Sequence, residues 1–137
     1  MKVVIDTREQ LPYEFEDSIT RTLQTGDYSL FGYEDQITVE RKTKADAYGT
    51  IGRGRTRFIK ELERLSEIDY SAIVVEASLS NFIKPPRFSQ LNPKSALNSL
   101  LAWSIRYRVF IFFADNRMMG NLLTLRILER YWKKIDE

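Results

Sequence analysis

Gly26-Asp27-Tyr28-Ser29-Leu30, followed by Thr38-Val39-Glu40-Arg41-Lys42, is the stretch that decides the fold. Two apolar-rich segments, residues 27–33 and 36–40, flank a Gly-Tyr-Glu-Asp turn at residues 32–35. That pattern predicts a β-hairpin, with Asp27 entering its first strand and Glu40 near the end of its second. Side chains two apart on a strand share a face, so Glu40 and Lys42 point the same way and Arg41 the other way. Arg41 then either pairs with an acid on the far face or, if the strand ends there, reaches a phosphate from the edge. The hairpin would bring two carboxylates and an ammonium together, a set suited to hydrolysis at an oxygen-bound divalent metal. Asp27 and Glu40 can supply hard oxygen ligands. Lys42 would orient or help to deprotonate an attacking water, or stabilise the charge of a phosphodiester transition state.

Composition narrows the chemistry further. The 137 residues contain no cysteine and no histidine. Disulfides, thiolate zinc sites and cysteine nucleophiles are excluded, as are the commonest general base and the commonest transition-metal ligand. Any metal would therefore be magnesium- or manganese-like. The apolar share of 43% and charged share of 29% are those of an ordinary globular domain, and the length favours one domain over residues 1–137. Met1-Lys2-Val3-Val4-Ile5-Asp6 meets charge too early for a signal peptide, and no apolar run nears the roughly 20 residues of a transmembrane helix. The expectation is a soluble intracellular protein with no membrane association.

The net charge of +2 is unevenly placed. Residues 41–64 carry eight Lys/Arg against three Asp/Glu, leaving the remainder net acidic. This is either a solvated helix face or a segment that engages a polyanion.

Around the hairpin, Val3-Val4-Ile5 reads as a buried strand ending at Asp6, and Ile19, Arg21 and Leu23 alternate as a second strand leading into Gly26. Thr43 caps a short helix with Asp46 three residues on, a variant of the capping box. Residues 49–55 read as a flexible Gly-Arg loop, and residues 56–68 as an amphipathic helix through Phe58, Ile59, Leu62, Leu65 and Ile68. Residues 71–77 form the clearest central strand. Pro85 and Pro86 stiffen the loop of residues 84–91. Asn92-Pro93 opens a helix to about Tyr107 with Leu97, Leu100, Leu101 and Ile105 inward. Residues 109–114 form another buried strand, and Asp115 or Asn116 caps a final helix. Leu122, Leu125, Leu128, Trp132 and Ile135 stripe that helix, widened by Leu123, Ile127 and Tyr131; the width serves either a larger core or a second subunit. The order gives an α/β sandwich with a mixed sheet and right-handed crossovers.

Gly26-Asp27 with Val39-Glu40-Arg41-Lys42-Thr43-Lys44-Ala45-Asp46 resembles the GD…ERKxxxD signature of the XPF-family structure-specific endonucleases, including the archaeal Hef nuclease type. Ile5-Asp6-Thr7-Arg8-Glu9 resembles that family's opening strand and Asp-x-Arg-Glu. Gly52-Arg53-Gly54-Arg55 resembles its post-signature loop, and Ile73-Val74-Val75-Glu76 its central strand.

The resemblance implies a restriction-endonuclease-like fold with helices flanking the sheet, Mg²⁺ or Mn²⁺ dependence, and cutting of flaps, forks or other branched DNA in repair, recombination or replication. Asp27, Glu40 and Asp6 would be metal ligands and Lys42 the catalytic lysine. Arg41 and Asp46 would belong to the charged network, with Glu9 and Arg8 as additional members. Arg53, Arg55, Arg57 and Lys44 would contact DNA phosphates. Tyr48 would either stack on a base or face the core. The family's dimers imply a homo- or heterodimer through the final helix. Its usual C-terminal helix-hairpin-helix domain would begin where this sequence ends. The resemblance also fits a cell interior: the cytoplasm or nucleoid of a prokaryotic-type cell, a phage-encoded protein, or a nucleus. The alternatives are a non-catalytic DNA-binding or scaffold subunit of a nuclease dimer, and a junction-resolving or restriction-type nuclease of the same fold.

Overall fold

The computed structural model describes residues 1–135. Six strands and five helices follow one another as β1 (Val3–Asp6), β2 (Ser18–Arg21), β3 (Tyr28–Leu30), β4 (Ile37–Lys42), α1 (Lys44–Ile51), α2 (Arg55–Leu65), β5 (Tyr70–Glu76), α3 (Leu79–Phe82), α4 (Pro93–Tyr107), β6 (Phe110–Ala114) and α5 (Arg117–Ile135). They build one mixed sheet in the order β2-β1-β3-β4-β5-β6. β3 is antiparallel to both of its neighbours, while β4, β5 and β6 run parallel and β2 lies parallel to β1. This is the α/β sandwich that the pattern of apolar runs predicted.

The pleat assigns each strand residue to one of two cores. Ile73 and Val75 of β5 pack with Tyr48 and Ile51 of α1, Phe58 and Leu62 of α2, and Leu100 and Trp103 of α4. Ala72 and Val74, one residue out of step, pack with Ile37, Val39, Tyr28 and Leu128 of α5. Thr38, Glu40 and Lys42 therefore face the α1–α2–α4 layer, and Arg41 faces the α5 layer.

The hairpin forms with Tyr28 opposite Val39. Its first strand is shorter than the sequence suggested, because Gly32 at φ 89° already turns the chain after Leu30. Gly26 has a φ of 83°, and a Cβ there would collide with Thr38 Oγ1. Only glycine meets both demands, and its turn delivers Asp27 to the sheet. Asp27 N–H then bonds Val39 O at 2.9 Å, and Asp27 O accepts from Asp6 N–H at 2.9 Å.

Several elements depart from expectation for identifiable reasons. Helix α1, capped by Thr43 Oγ1 at Asp46 N–H (3.0 Å), runs through Gly49 and Thr50 to Ile51 instead of breaking at Gly49. Burial of Tyr48 and Ile51 outweighs the poor helix propensity of glycine, so the break shrinks to a turn at residues 52–54. In α4 the inward face is Ala96, Leu100 and Trp103, while Leu101 and Ile105 are exposed. β6 is an edge strand, not a buried one, since it has β5 on one side only, and Phe110 is exposed. Leu123, Ile127, Leu128, Tyr131 and Trp132 of α5 all pack into its core, so most of the broad apolar face is used within the chain. Asn116, rather than Asp115, caps α5 through Oδ1 at Met119 N–H, 2.9 Å. Among the described residues, no helix is long and apolar enough to cross a membrane.

Replacing Gly26 with alanine introduces both a strained φ and a clash with Thr38. The expected loss is about 1–3 kcal/mol, read from the urea midpoint; an unchanged midpoint would remove Gly26 from the account of how Asp27 is placed.

Candidate active site

The C-terminal end of β4 carries the functional side chains. Glu40 is buried, with 7% of its surface exposed. Asp27, at the mouth of β3, uses Oδ2 to accept the Arg41 amide N–H at 2.7 Å. Lys42 Nζ lies 3.5 Å from Glu40 Oε2, donates to Thr50 Oγ1 of α1 at 3.0 Å and sits 4.6 Å above the Phe58 ring of α2. The ammonium is thus held from three sides by strand, helix and ring.

A further carboxylate joins them. Glu61, on α2, lies near enough to add its charge to both site acids. Burial, then the Asp27 charge, then Glu61 push the Glu40 carboxyl well above its usual range, with Lys42 opposing. Burial is also the main cause for Asp27, pushed up to about 7, with the Glu9 and Glu61 charges adding to it and the Arg41 amide and Lys42 working against it. Negative charge is packed here beyond what one lysine neutralises. Such a cluster is stable as carboxylates only with an added cation or with water let in.

The family sequence profile described as the ERCC4 domain matches residues 5–124. The chain belongs to the ERCC4 domain family. Two solved structures share its fold. XPF from Aeropyrum pernix superposes with a TM-score of 0.71 at 23% identity, covering 90% of this chain and 57% of that one. XPF from Aeropyrum pernix in complex with DNA gives 0.78 at 24% identity, covering 97% of this chain and 66% of that one. The ERCC4 domain described here thus spans about three-fifths of the chains it resembles. No curated protein sequence matches it significantly.

Of the residues singled out in the sequence, the ERCC4 domain brings Asp27, Glu40 and Lys42 together and sends others elsewhere. Asp6 is not aimed at the pair. Its Oδ1 accepts from Leu23 N–H (2.8 Å) and Arg8 Nη2 (3.0 Å), and its Oδ2 from Arg8 Nε (2.8 Å) and Arg8 N–H (3.1 Å). Burial works against its charge, but these donors hold its carboxyl below the usual range. A carboxylate so fully engaged serves here as a structural tie, and its amide anchors Asp27. Arg8 completes the tie by donating to Leu23 O at 2.7 Å. Asp46 lies exposed on the first turn of α1. Lys44 donates to the carbonyls of Lys84 (2.8 Å) and Asn81 (3.4 Å), so its ammonium braces a loop and is not free for a phosphate. Arg55 lies 4.9 Å over the Trp103 ring and donates to Ser99 Oγ at 3.1 Å, against α4. Arg53 and Arg57 are exposed. Tyr48 is core-facing, its hydroxyl bonded to Phe82 O at 2.6 Å.

Arg41 occupies the opposite face, as the strand period required. Its Nε donates to Glu76 Oε2 at 2.7 Å, its Nη1 lies 3.6 Å from Glu9 Oε2, and its guanidinium covers the Tyr13 ring at 5.1 Å. Tyr13 donates its hydroxyl to Glu76, and Tyr28 donates to Glu9 at 2.6 Å. Gly120 of α5 lets this network close, since a Cβ there would strike the Tyr13 hydroxyl. The Glu76 role carried no signal in the sequence beyond a charge ending an apolar strand, and Glu61 none beyond an acid on an amphipathic helix.

Two measurements follow from these charges. An Asp27 carboxyl raised to about 7 means the folded protein binds more protons than the unfolded chain between its ordinary value of 3.8 and about 7. Stability conferred below that window is lost as pH rises through it. The melting temperature of metal-free protein should therefore fall from pH 5 to pH 8, and Asp27→Asn should flatten the slope; a wild-type slope of opposite sign contradicts the cluster. Glu76→Ala should cost about 1–3 kcal/mol, because it leaves the half-buried Arg41 guanidinium with only the longer Glu9 contact. Chemical denaturation reads this directly, and a loss under about 0.5 kcal/mol would show that the clamp contributes little.

Proposed function

We propose that this ERCC4 domain is a divalent-metal-dependent DNA endonuclease that hydrolyses phosphodiester bonds. The observation that carries this reading is the carboxylate pair of buried Glu40 and half-buried Asp27, with the Glu61 charge nearby and a single positioned lysine beside it. The donor chemistry fits Mg²⁺ or Mn²⁺: only hard oxygens are available, with neither histidine nor cysteine in the chain. Among the described residues, no trio of His, Cys, Asp or Glu side chains forms a ready cage. Two carboxylates would hold the ion, with water, backbone carbonyl or substrate phosphate completing its shell, as is usual for magnesium. When bound, the ion supplies an acidified water and Lewis-acid stabilisation of the leaving oxygen.

The protein's own residues supply the rest. The Arg41 amide fixes one oxygen of Asp27 and leaves the other to a ligand. Lys42, braced by Thr50 and Phe58, orients the attacking water and meets the charge that grows on the phosphate. Arg53 and Arg57, exposed beyond α1, draw the DNA backbone toward the site. Selectivity for flaps, forks or other branched DNA belongs to the same reading, supported by family membership. A second ERCC4-type domain is the proposed protein partner, docking on the residues of α5 that the core leaves exposed: Met118, Met119 and Leu122.

The test is incubation of the protein with labelled flap, fork, four-way-junction and linear duplex DNA. Cleavage is expected with Mg²⁺ or Mn²⁺ and not with EDTA. Glu40→Gln and Lys42→Ala should each lower the rate by about 10²–10⁴-fold. No cleavage of any substrate would favour a non-catalytic DNA-binding subunit, and full activity in either variant would move the centre elsewhere.

A further inference from the structure

One concave feature lies beside the candidate active site without being part of it. A cleft of about 840 Å³ opens between the residue 52–54 turn and the residue 84–91 loop. That volume is ample for a planar ligand of nucleobase size. Phe88 forms one wall and is 66% exposed. Other aromatic rings of this half are paired: Tyr48 with Phe82 at 5.0 Å, Phe58 with Trp103 at 5.6 Å, and Phe82 with Phe113 at 5.3 Å. Phe88 belongs to none of these pairs. Its solvent-facing ring leaves an open π-face to a planar ligand.

The opposite wall is low and positive. Gly49 and Gly52 leave backbone uncovered there, and a Cβ at Gly49 would meet nothing within 4 Å. Arg53 stands at the rim, Leu91 closes the apolar floor, and Gln90 adds an amide able to bond a base edge. The aromatic wall is also pre-set. Pro85 and Pro86 restrict the loop, Ser89 N–H closes a turn on Pro86 O at 3.0 Å, and Lys44 of α1 holds Lys84 O at 2.8 Å. Little ordering is left for binding to cost.

Position gives the cleft its occupant. Tyr48, Gly49 and Gly52 line it from one side of α1, while Thr50 on another side of that helix accepts from Lys42 Nζ. The cleft is thus separated from the catalytic lysine by about one helix diameter, roughly 10 Å, across a ridge stripped of side chain at Gly49. A DNA strand leaving the site can cross that ridge with its backbone against the glycines and the arginine. Duplex cannot present a base face to Phe88, because its bases are stacked on one another.

We propose that this cleft binds an unpaired nucleobase of the substrate strand, stacked on Phe88 with its phosphate at Arg53, about one helix diameter to one side of the scissile bond. The proposal rests on the nuclease reading above and deepens it, giving the domain its own means of telling branched from continuous DNA.

The test is DNA binding in EDTA, read by fluorescence anisotropy, for the wild type, Phe88→Ala and Phe88→Trp. Substrates are a flap, a fork and a blunt duplex, with 2-aminopurine placed in turn at each unpaired position near the branch. Phe88 is exposed, so both variants should fold. In the wild type, 2-aminopurine should be quenched at one position; the quench should disappear in Phe88→Ala and persist in Phe88→Trp. Flap affinity should weaken by roughly 5- to 150-fold in Phe88→Ala, the worth of one base–aromatic stack, with duplex affinity unchanged. Wild-type cleavage and flap binding with an unaffected Phe88→Ala would overturn the cleft and leave the nuclease standing. Equal weakening for flap and duplex would also overturn it. A wild type that neither binds nor cuts any substrate would overturn both.

Discussion

The hydrogen bond from the Arg41 amide N–H to the Asp27 side chain, Oδ2 at 2.7 Å, ties together the two halves of the candidate centre. It depends on β4 having its residues in strict alternation. Glu40 and Lys42 point to the α1–α2 layer, and Arg41 points to the α5 layer, where Glu76 and Glu9 grip its guanidinium. The residue between the acid and the lysine therefore acts through both its groups. Its amide orients the second carboxylate, and its side chain locks the strand against the opposite core. A one-residue slip of β4 would place arginine in the site and bury glutamate and lysine against α5.

The cluster works against the stability of the fold that carries it. Glu40 and Asp27 meet where desolvation favours neutral carboxyls, while on the far face Arg41 and two tyrosine hydroxyls engage Glu76 and Glu9. The same strand thus has a satisfied side and an unsatisfied side. Such an imbalance is what a binding centre for a cation and a phosphate requires, since a fully compensated cluster would have no reason to take either.

Much of this was legible in the residues. Period-two alternation gave the hairpin and the shared face of Glu40 and Lys42. What escaped reading was set by tertiary contact. Asp6 sits in a motif with Arg8, yet the fold turns it toward Arg8 and Leu23. Glu61 looked like one acid among several on an amphipathic helix until α2 packed over β4. The helix through Gly49 survived because Tyr48 and Ile51 are buried. The apolar stripe of α4 is rotated from its expected face because Trp103, rather than Leu101 or Ile105, fills the core. Phe88 lay in a proline-stiffened loop whose sequence says nothing of a neighbouring cleft.

The proposed chemistry requires Asp27 and Glu40 to hold one cation between them. Crystals of the protein soaked in Mn²⁺ and measured for anomalous scattering test this most directly. An anomalous peak within coordinating distance of both carboxylates, lost in crystals of Asp27→Asn, is the predicted result. A peak only at other acids, or none at millimolar Mn²⁺, would contradict it.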